Sequence, residues 1–317
     1  MPDAPASPSA DGPSDARPTD AGPVVLAGGT GDLGARVARH LRQRGADVRA
    51  LIRPASAPHA VAALRATGAD VVEVDFDREA ALADACAGAA CVVSTLSGLE
   101  DVIVGVQSRL LAGAVAAGVP RFIPSDFSID YVPLAPGRNR NLDLRRAFRA
   151  HLDAAPIRAT SILNGMFADL LVGPAPVVVF PIRRVVYWGD AGQPLDFTTI
   201  EDTAAFTAAA ALDASTPRDL RIAGDVLDAR GLATAATEAT GDRFKLLRAG
   251  GLGRLDRLIR LTRALAPGRD DVFPPWQGMQ YLHDMFSGVV ALAPLDNARY
   301  PGLTWTSVRE VLAGREA

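Results

Sequence analysis

Val24-Val25-Leu26-Ala27-Gly28-Gly29-Thr30-Gly31-Asp32-Leu33-Gly34 is the stretch that decides the fold. An apolar run, a glycine-rich turn and an amphipathic segment from Ala35 to Leu41 follow without a break, the sequence form of strand, tight turn and helix. Glycine at 28, 31 and 34 removes Cβ atoms where backbone must approach a pyrophosphate and where helix must sit close on strand. Thr30, Asp32 and Leu33 complete the turn, and the N–H groups of the helix start face the phosphates. The spacing is G-x-x-G-x-x-G, not G-x-G-x-x-G, so the dinucleotide reading rests on the legible strand before it and helix after it.

Working outward, strand-like runs occur at 23–28, 47–52, 70–75, 91–95, 120–123 and 158–163, with helical patterns near 32–44, 57–67, 78–87, 101–118 and 141–153. Continuous apolar strands alternating with helices predict an α/β fold: a Rossmann-type, doubly wound parallel sheet covered on both faces. Ligand then sits at the carboxyl ends of the strands, at Ala27-Gly28, Ile52-Arg53, Val74-Asp75, Ser94-Thr95, Pro124-Ser125 and Asn164. Past 164 the pattern changes to a hairpin at 176–188, helices at 201–213, 251–267, 275–292 and 306–314, and a strand near 219–223 expected to return to the core sheet. The expected organisation is a disordered Pro/Ala/Ser/Asp tail over 1–22, a dinucleotide-binding part over 23–163 and a smaller, mainly helical substrate-binding region over 164–317.

Composition narrows the partners. The chain has 317 residues and 49% hydrophobic content, enough for a sizeable core. Net charge is −3 with no dense basic stretch, which argues against nucleic acid. The arginines at 138–149 and 254–263 are interleaved with apolar residues at helical spacing and read as solvated helix faces. The two cysteines, Cys86 and Cys91, are too few for a disulfide framework or a zinc site. No apolar run reaches membrane-span length and no signal peptide is visible, so the expected location is cytoplasmic.

The second strand discriminates the dinucleotide. It ends Leu51-Ile52-Arg53-Pro54 with no carboxylate for a ribose 2′-hydroxyl; Arg53 stands about where that discriminator belongs. A guanidinium suits a 2′-phosphate by charge and geometry, so NADP(H) is expected over NAD(H).

Together with that strand end, the glycine turn and Gly118-Val119-Pro120-Arg121-Phe122-Ile123-Pro124-Ser125-Asp126-Phe127 resemble the NmrA-like and isoflavone-reductase-like group of atypical short-chain dehydrogenase/reductases. Gln107 and Asn164-Gly165-Met166-Phe167 extend the resemblance, which covers 23–170 well and the rest in outline. It implies a Rossmann-type core, NADP(H), and either a reductase or a redox-sensing regulator. It also implies that Ser94, Thr95, Leu96, Pro124 and Ser125 line the nicotinamide ribose. Asp75 and Phe76 would flank adenine, and Asn164, Met166 and Phe167 would pack near the nicotinamide ring.

The chain departs from the family at catalysis. None of Tyr131, Tyr187, Tyr281 and Tyr300 has a lysine four residues on, and the only lysine is Lys245. Relatives of the isoflavone-reductase type carry a lysine at the start of the helix after the fifth strand; matching that helix puts Asn141 there. Hydride transfer still needs only the cofactor and an aligned acceptor carbon. Asn141 would position ribose or a substrate carbonyl, or else it or Asn139 is a helix N-cap. Arg138 or Arg140 would stabilise oxyanion charge, or else pair with Asp143 or Asp130. Tyr131 would donate a proton, or else be structural; His151 and His283 read as packing residues. Two function classes result: an NADPH-dependent reductase of a small-to-medium aromatic or polycyclic carbonyl or enone, working without a Tyr-Lys pair, and a non-catalytic NAD(P)-sensing regulator that binds a protein partner.

Overall fold

The computed structural model describes residues 22–173 and 175–315. The tail reading therefore falls, apart from Gly22, outside the described residues. The first half alternates strand and helix: β1 (Val24–Ala27), α1 (Asp32–Gln43), β2 (Val48–Ile52), α2 (Pro58–Ala66), β3 (Asp70–Glu73), α3 (Glu79–Cys86), β4 (Cys91–Ser94), α4 (Gln107–Ala116), β5 (Arg121–Ile123), α5 (Arg140–Ala154) and β6 (Arg158–Ala159). The six strands form one parallel sheet in the order β3-β2-β1-β4-β5-β6. The order reverses between β1 and β4, and that reversal opens the crevice in which such sheets hold ligands.

Sheet burial follows from the side-chain alternation. Val24 and Leu26 of β1 point to the face covered by Val37 and Leu41 of α1. Val25 and Ala27 point to the opposite face, with Leu82 of α3, Leu110 of α4 and Phe148 of α5. Both faces are dry, so β1 reads as an unbroken apolar run; each fully buried Val or Leu contributes on the order of 2 kcal/mol. Cys86 and Cys91 sit in these layers, and burial pushes both thiols up to about 11, which keeps them inert packing groups.

The second half contains β7 (Ser161–Leu163), β8 (Met166–Phe167), β9 (Val178–Val179), β10 (Arg184–Trp188), β11 (Leu195–Thr198), α6 (Ile200–Leu212), β12 (Asp219–Arg221), β13 (Asp225–Leu227), α7 (Ala229–Thr240), β14 (Lys245–Gly250), α8 (Leu252–Leu265), α9 (Pro275–Phe286) and α10 (Val308–Ala313). The run at 158–163 is split at Thr160: β6 pairs with β5, and β7 pairs in parallel with β12. Two further three-stranded sheets, β14-β10-β9 and β13-β11-β8, accompany α7 to α10. Helix α6 packs on α1, where Glu201 receives Arg36 and His40, each at 2.8 Å. No described helix is long and apolar enough to cross a membrane.

Candidate active site

The glycine turn has the geometry of a phosphate cradle. Gly28 has φ +85°, and a Cβ there would lie 2.7 Å from the Thr95 carbonyl. A Cβ at Gly34 would overlap the Gly28 carbonyl oxygen, so these two positions set how closely α1 approaches β1 and the β4 end. Gly31 differs: a Cβ would meet only Gly28 O, at 3.4 Å, with open space beyond. Gly31 is also the N-cap of α1, and no side chain caps that first turn. Uncapped amides beside open, glycine-cleared space are what a pyrophosphate requires. Thr30 and Asp32 are exposed at the same turn and Leu33 is half-buried.

Arg53, at the tip of β2, is exposed; its backbone N–H donates to Ser56 Oγ at 3.1 Å, and its guanidinium has no partner among the described residues. Beyond β3, Asp75 is exposed and Phe76 buried, and Arg109 fixes this turn by donating to Phe76 O at 2.9 Å. The ends of β4 and β5 are strapped together: Ser125 N donates to Gln107 Oε1 at 2.9 Å and Ser125 Oγ to Leu96 O at 2.6 Å. Asn164 continues this rim. It is 0% exposed, its backbone N donates to Ser128 O, and both its side-chain atoms are without a hydrogen-bond partner. Ser94 Oγ is likewise buried and unpartnered. Such orphaned groups at strand ends fit a missing polar ligand. Met166 and Phe167 of β8 are half-buried beside Asn164. The residues therefore fit a dinucleotide, with donors at one end and unsatisfied polar atoms at the other.

The candidate catalytic residues fare differently. Tyr131 corrects the expectation of a proton donor. It is 0% exposed and its hydroxyl donates to Asp126 Oδ2 at 3.0 Å within the core. Burial, then the Asp126 charge, pushes its pKa up, so it is a structural tyrosine. Asp126 also receives Ser161 Oγ, at 2.5 Å, and its other oxygen has no partner.

Asn139, not Asn141, is the N-cap of α5, accepting from Leu142 N. Asn141 is 2% exposed; its Nδ2 donates to Val272 O at 2.8 Å and its Oδ1 accepts from Arg140 Nε at 3.1 Å. In this structure its amide is thus committed to the 266–274 loop. Arg138 pairs with neither Asp143 nor Asp130: Asp143 accepts from Gly137 N, and Asp130 is held by Arg221. Arg138 Nη2 lies instead 3.2 Å from His283 Nδ1 on α9. Lys245 starts β14, paired with β10.

The sequence reading missed one face of α9. Gln277 Nε2 donates to Asn139 Oδ1 at 2.6 Å, Gln280 Oε1 accepts from Arg140 N, and Asp284 Oδ2 accepts from Asn139 Nδ2. All three α9 residues are buried. Spacing of three and four residues puts them on one stripe, but polar side chains at that spacing read as solvated unless a partner helix is known.

The NmrA-like family model matches residues 21–249. A bifunctional pinoresinol-lariciresinol reductase from Linum usitatissimum is 29% identical over 198 residues, covering 58% of this chain and 63% of that one. The chain thus spans just under two thirds of the length of that relative. Among solved structures, the leucoanthocyanidin reductase–NADPH complex from Vitis vinifera superposes with a TM-score of 0.76 at 23% identity, covering 92% of this chain and 98% of that one. An NADPH complex of a quinone oxidoreductase from Escherichia coli gives 0.72 at 20% identity, with the same coverage of 92% and 98%. At these identities the superpositions speak for the fold.

Proposed function

Because this chain belongs to the NmrA-like family, we propose that it is an NADPH-dependent reductase of a small-to-medium aromatic or polycyclic carbonyl or enone, acting in the cytoplasm. The observation that carries the reading is the cradle at Gly28–Gly34, with open space at Gly31 and the uncommitted guanidinium of Arg53 at the next strand end. The relatives' names, a pinoresinol-lariciresinol reductase and an NADPH-dependent quinone oxidoreductase, support a reductase of a ring-bearing substrate, and the quinone alone supports a carbonyl acceptor.

In this reading residues 23–163 hold the dinucleotide and 164–317 wall the substrate. The first turn of α1 holds the pyrophosphate, with Gly28, Thr30, Gly31, Asp32, Leu33 and Gly34 around it, and Arg53 pairs with the 2′-phosphate. Asp75 and Phe76 flank adenine; Ser94, Thr95, Leu96, Pro124 and Ser125 line the nicotinamide ribose; Asn164, Met166 and Phe167 pack against the ring. Bound NADPH supplies the hydride. The chain's own residues orient it and exclude water, and effective concentration supplies much of the rate. Asn141 holds the 266–274 loop over the start of α5, and Arg138 offers charge beside it.

One observation favours the alternative, a dinucleotide sensor that binds a regulatory protein: Asn141 stands in the lysine position and its amide is committed to Val272. Calorimetry tests the cofactor, and turnover separates the two readings. Calorimetry should show NADPH binding more tightly than NADH, with Arg53→Ala narrowing the gap by about tenfold or more. Equal affinities in the unmodified protein would sink the cofactor assignment. Cofactor oxidation with a ketone, enone or quinone panel supports the reductase; tight NADPH binding without any turnover hands the function to the sensor.

A further inference from the structure

Apart from the cofactor cradle, the loop before α5 meets α8 and α9 around a cavity of about 260 Å³. Arg138, Arg260, Arg263, Ile259, Gln280 and His283 line it, with two carboxylates, Asp256 and Asp284. Asp284 Oδ2 accepts from Asn139 at 3.0 Å; Asp256 makes no hydrogen bond among the described residues and stands at ion-pair range, 3.4 Å from His283 Nε2 and 3.9 Å from Arg138. Neither Arg260 nor Arg263 has a carboxylate partner among the described residues. Arg263 stacks on Trp276 with its guanidinium carbon 5.0 Å from the ring centroid, and Arg140 does the same at 4.8 Å. Gln280 is 7% exposed; its Oε1 accepts from Arg140 N at 3.3 Å, and its Nε2 makes no hydrogen bond among the described residues. Uncommitted donors converge here, and Ile259 supplies an apolar wall.

We propose that this cavity binds the carboxylate of a small aryl or alkyl acid, with Arg260 and Arg263 as the charge partners and Gln280 as a buried donor. A guanidinium fork matches a carboxylate edge in geometry as well as charge. The volume lies just below the usual range of ligand pockets and suits a ligand no larger than a single-ring acid. The lining shares no residue with the cofactor set, and of the residues given a part in the reductase reading only Arg138 borders it, so the test uses Arg260 and Arg263 and reads binding without NADPH.

The test is calorimetric titration of the full chain, without NADPH and at constant ionic strength, with benzoate, benzamide and inorganic phosphate as probes. Benzoate should bind and benzamide should not, because the amide keeps the ring and size but loses the charge and one acceptor oxygen. Arg260→Gln and Arg263→Gln should each weaken benzoate about tenfold, whereas Arg65→Gln on α2 should leave it unchanged. Arg260→Gln carries the test if losing the Trp276 stack unfolds the Arg263 variant. Absent benzoate binding, binding untouched by Arg260→Gln, or phosphate binding as tightly as benzoate would each overturn the carboxylate assignment.

Discussion

At the scale of single residues, the glycines of one turn separate two jobs that look alike in the sequence. Gly34 lets backbone lie close on backbone, whereas Gly31 keeps a space clear. Gly34→Val should therefore lower the melting temperature sharply, since its side chain collides with Gly28 O and Thr95 Oγ1. Gly31→Val should fold with a melting temperature near that of the parent yet bind NADPH at least about tenfold more weakly, the side chain standing in the phosphate path. Thermal melts and calorimetry on the two variants check this, and a Gly31→Val protein with undiminished affinity would contradict it. Tyr131 shows where residue-level reading stops. Its place just after Ser125-Asp126-Phe127 suggested a proton donor, but burial is decided by what packs from afar, here Leu163 and Leu195 among others. Tyr131→Phe should leave turnover unchanged and cost about 1–3 kcal/mol in urea denaturation, because Asp126 loses a buried donor.

At the scale of elements, the first half was legible because its central strands β1, β2, β4 and β5 are buried almost throughout and helices of apolar-striped pattern alternate with them. The glycine turn and Arg53 were legible for the same reason: their chemistry is local to a strand end. Pairings across the chain were not. Nothing in Gln277, Gln280 or Asp284 announces Asn139, and nothing in Glu201 announces α1. Glu201 shows how much such pairings matter. Burial alone would raise its pKa, but hydrogen bonds from Arg39, Arg36 and His40 outweigh that and draw it down to about 2, from 4.5. A folded pKa below the unfolded one means stability that is complete above about pH 5 and lost as pH falls through the folded pKa near 2. Glu201→Gln should therefore destabilise at pH 7 and converge on the parent only at about pH 2 and below. The side chain is 41% exposed, so solvent screening holds the neutral-pH cost to about 1 kcal/mol. Melting temperatures across pH for both proteins measure it.

At the scale of the whole molecule, the two halves are not beads on a string. Helix α6 covers α1, and β12 pairs with β7 in a two-stranded sheet beside the six-stranded one rather than returning to it, so elements from after residue 199 still pack on the part that cradles the dinucleotide. A fragment ending at residue 170 should lack a cooperative melt and bind a hydrophobic dye, since the faces that α6 and β12 cover lie open. A sharp transition in that fragment would show that the first half folds alone. The clamp of Arg39 on Glu201 spans 162 residues, and it has a consequence for the timing of synthesis. At about 5–20 residues per second, the ribosome needs roughly 8 to 32 s to deliver Glu201 after Arg39. For that interval the flank of the nascent helix that α6 covers lies open, which makes it a target for chaperones that shield emerging chains. Slow codons before residue 200 would lengthen the exposure; slow codons after 220 would not.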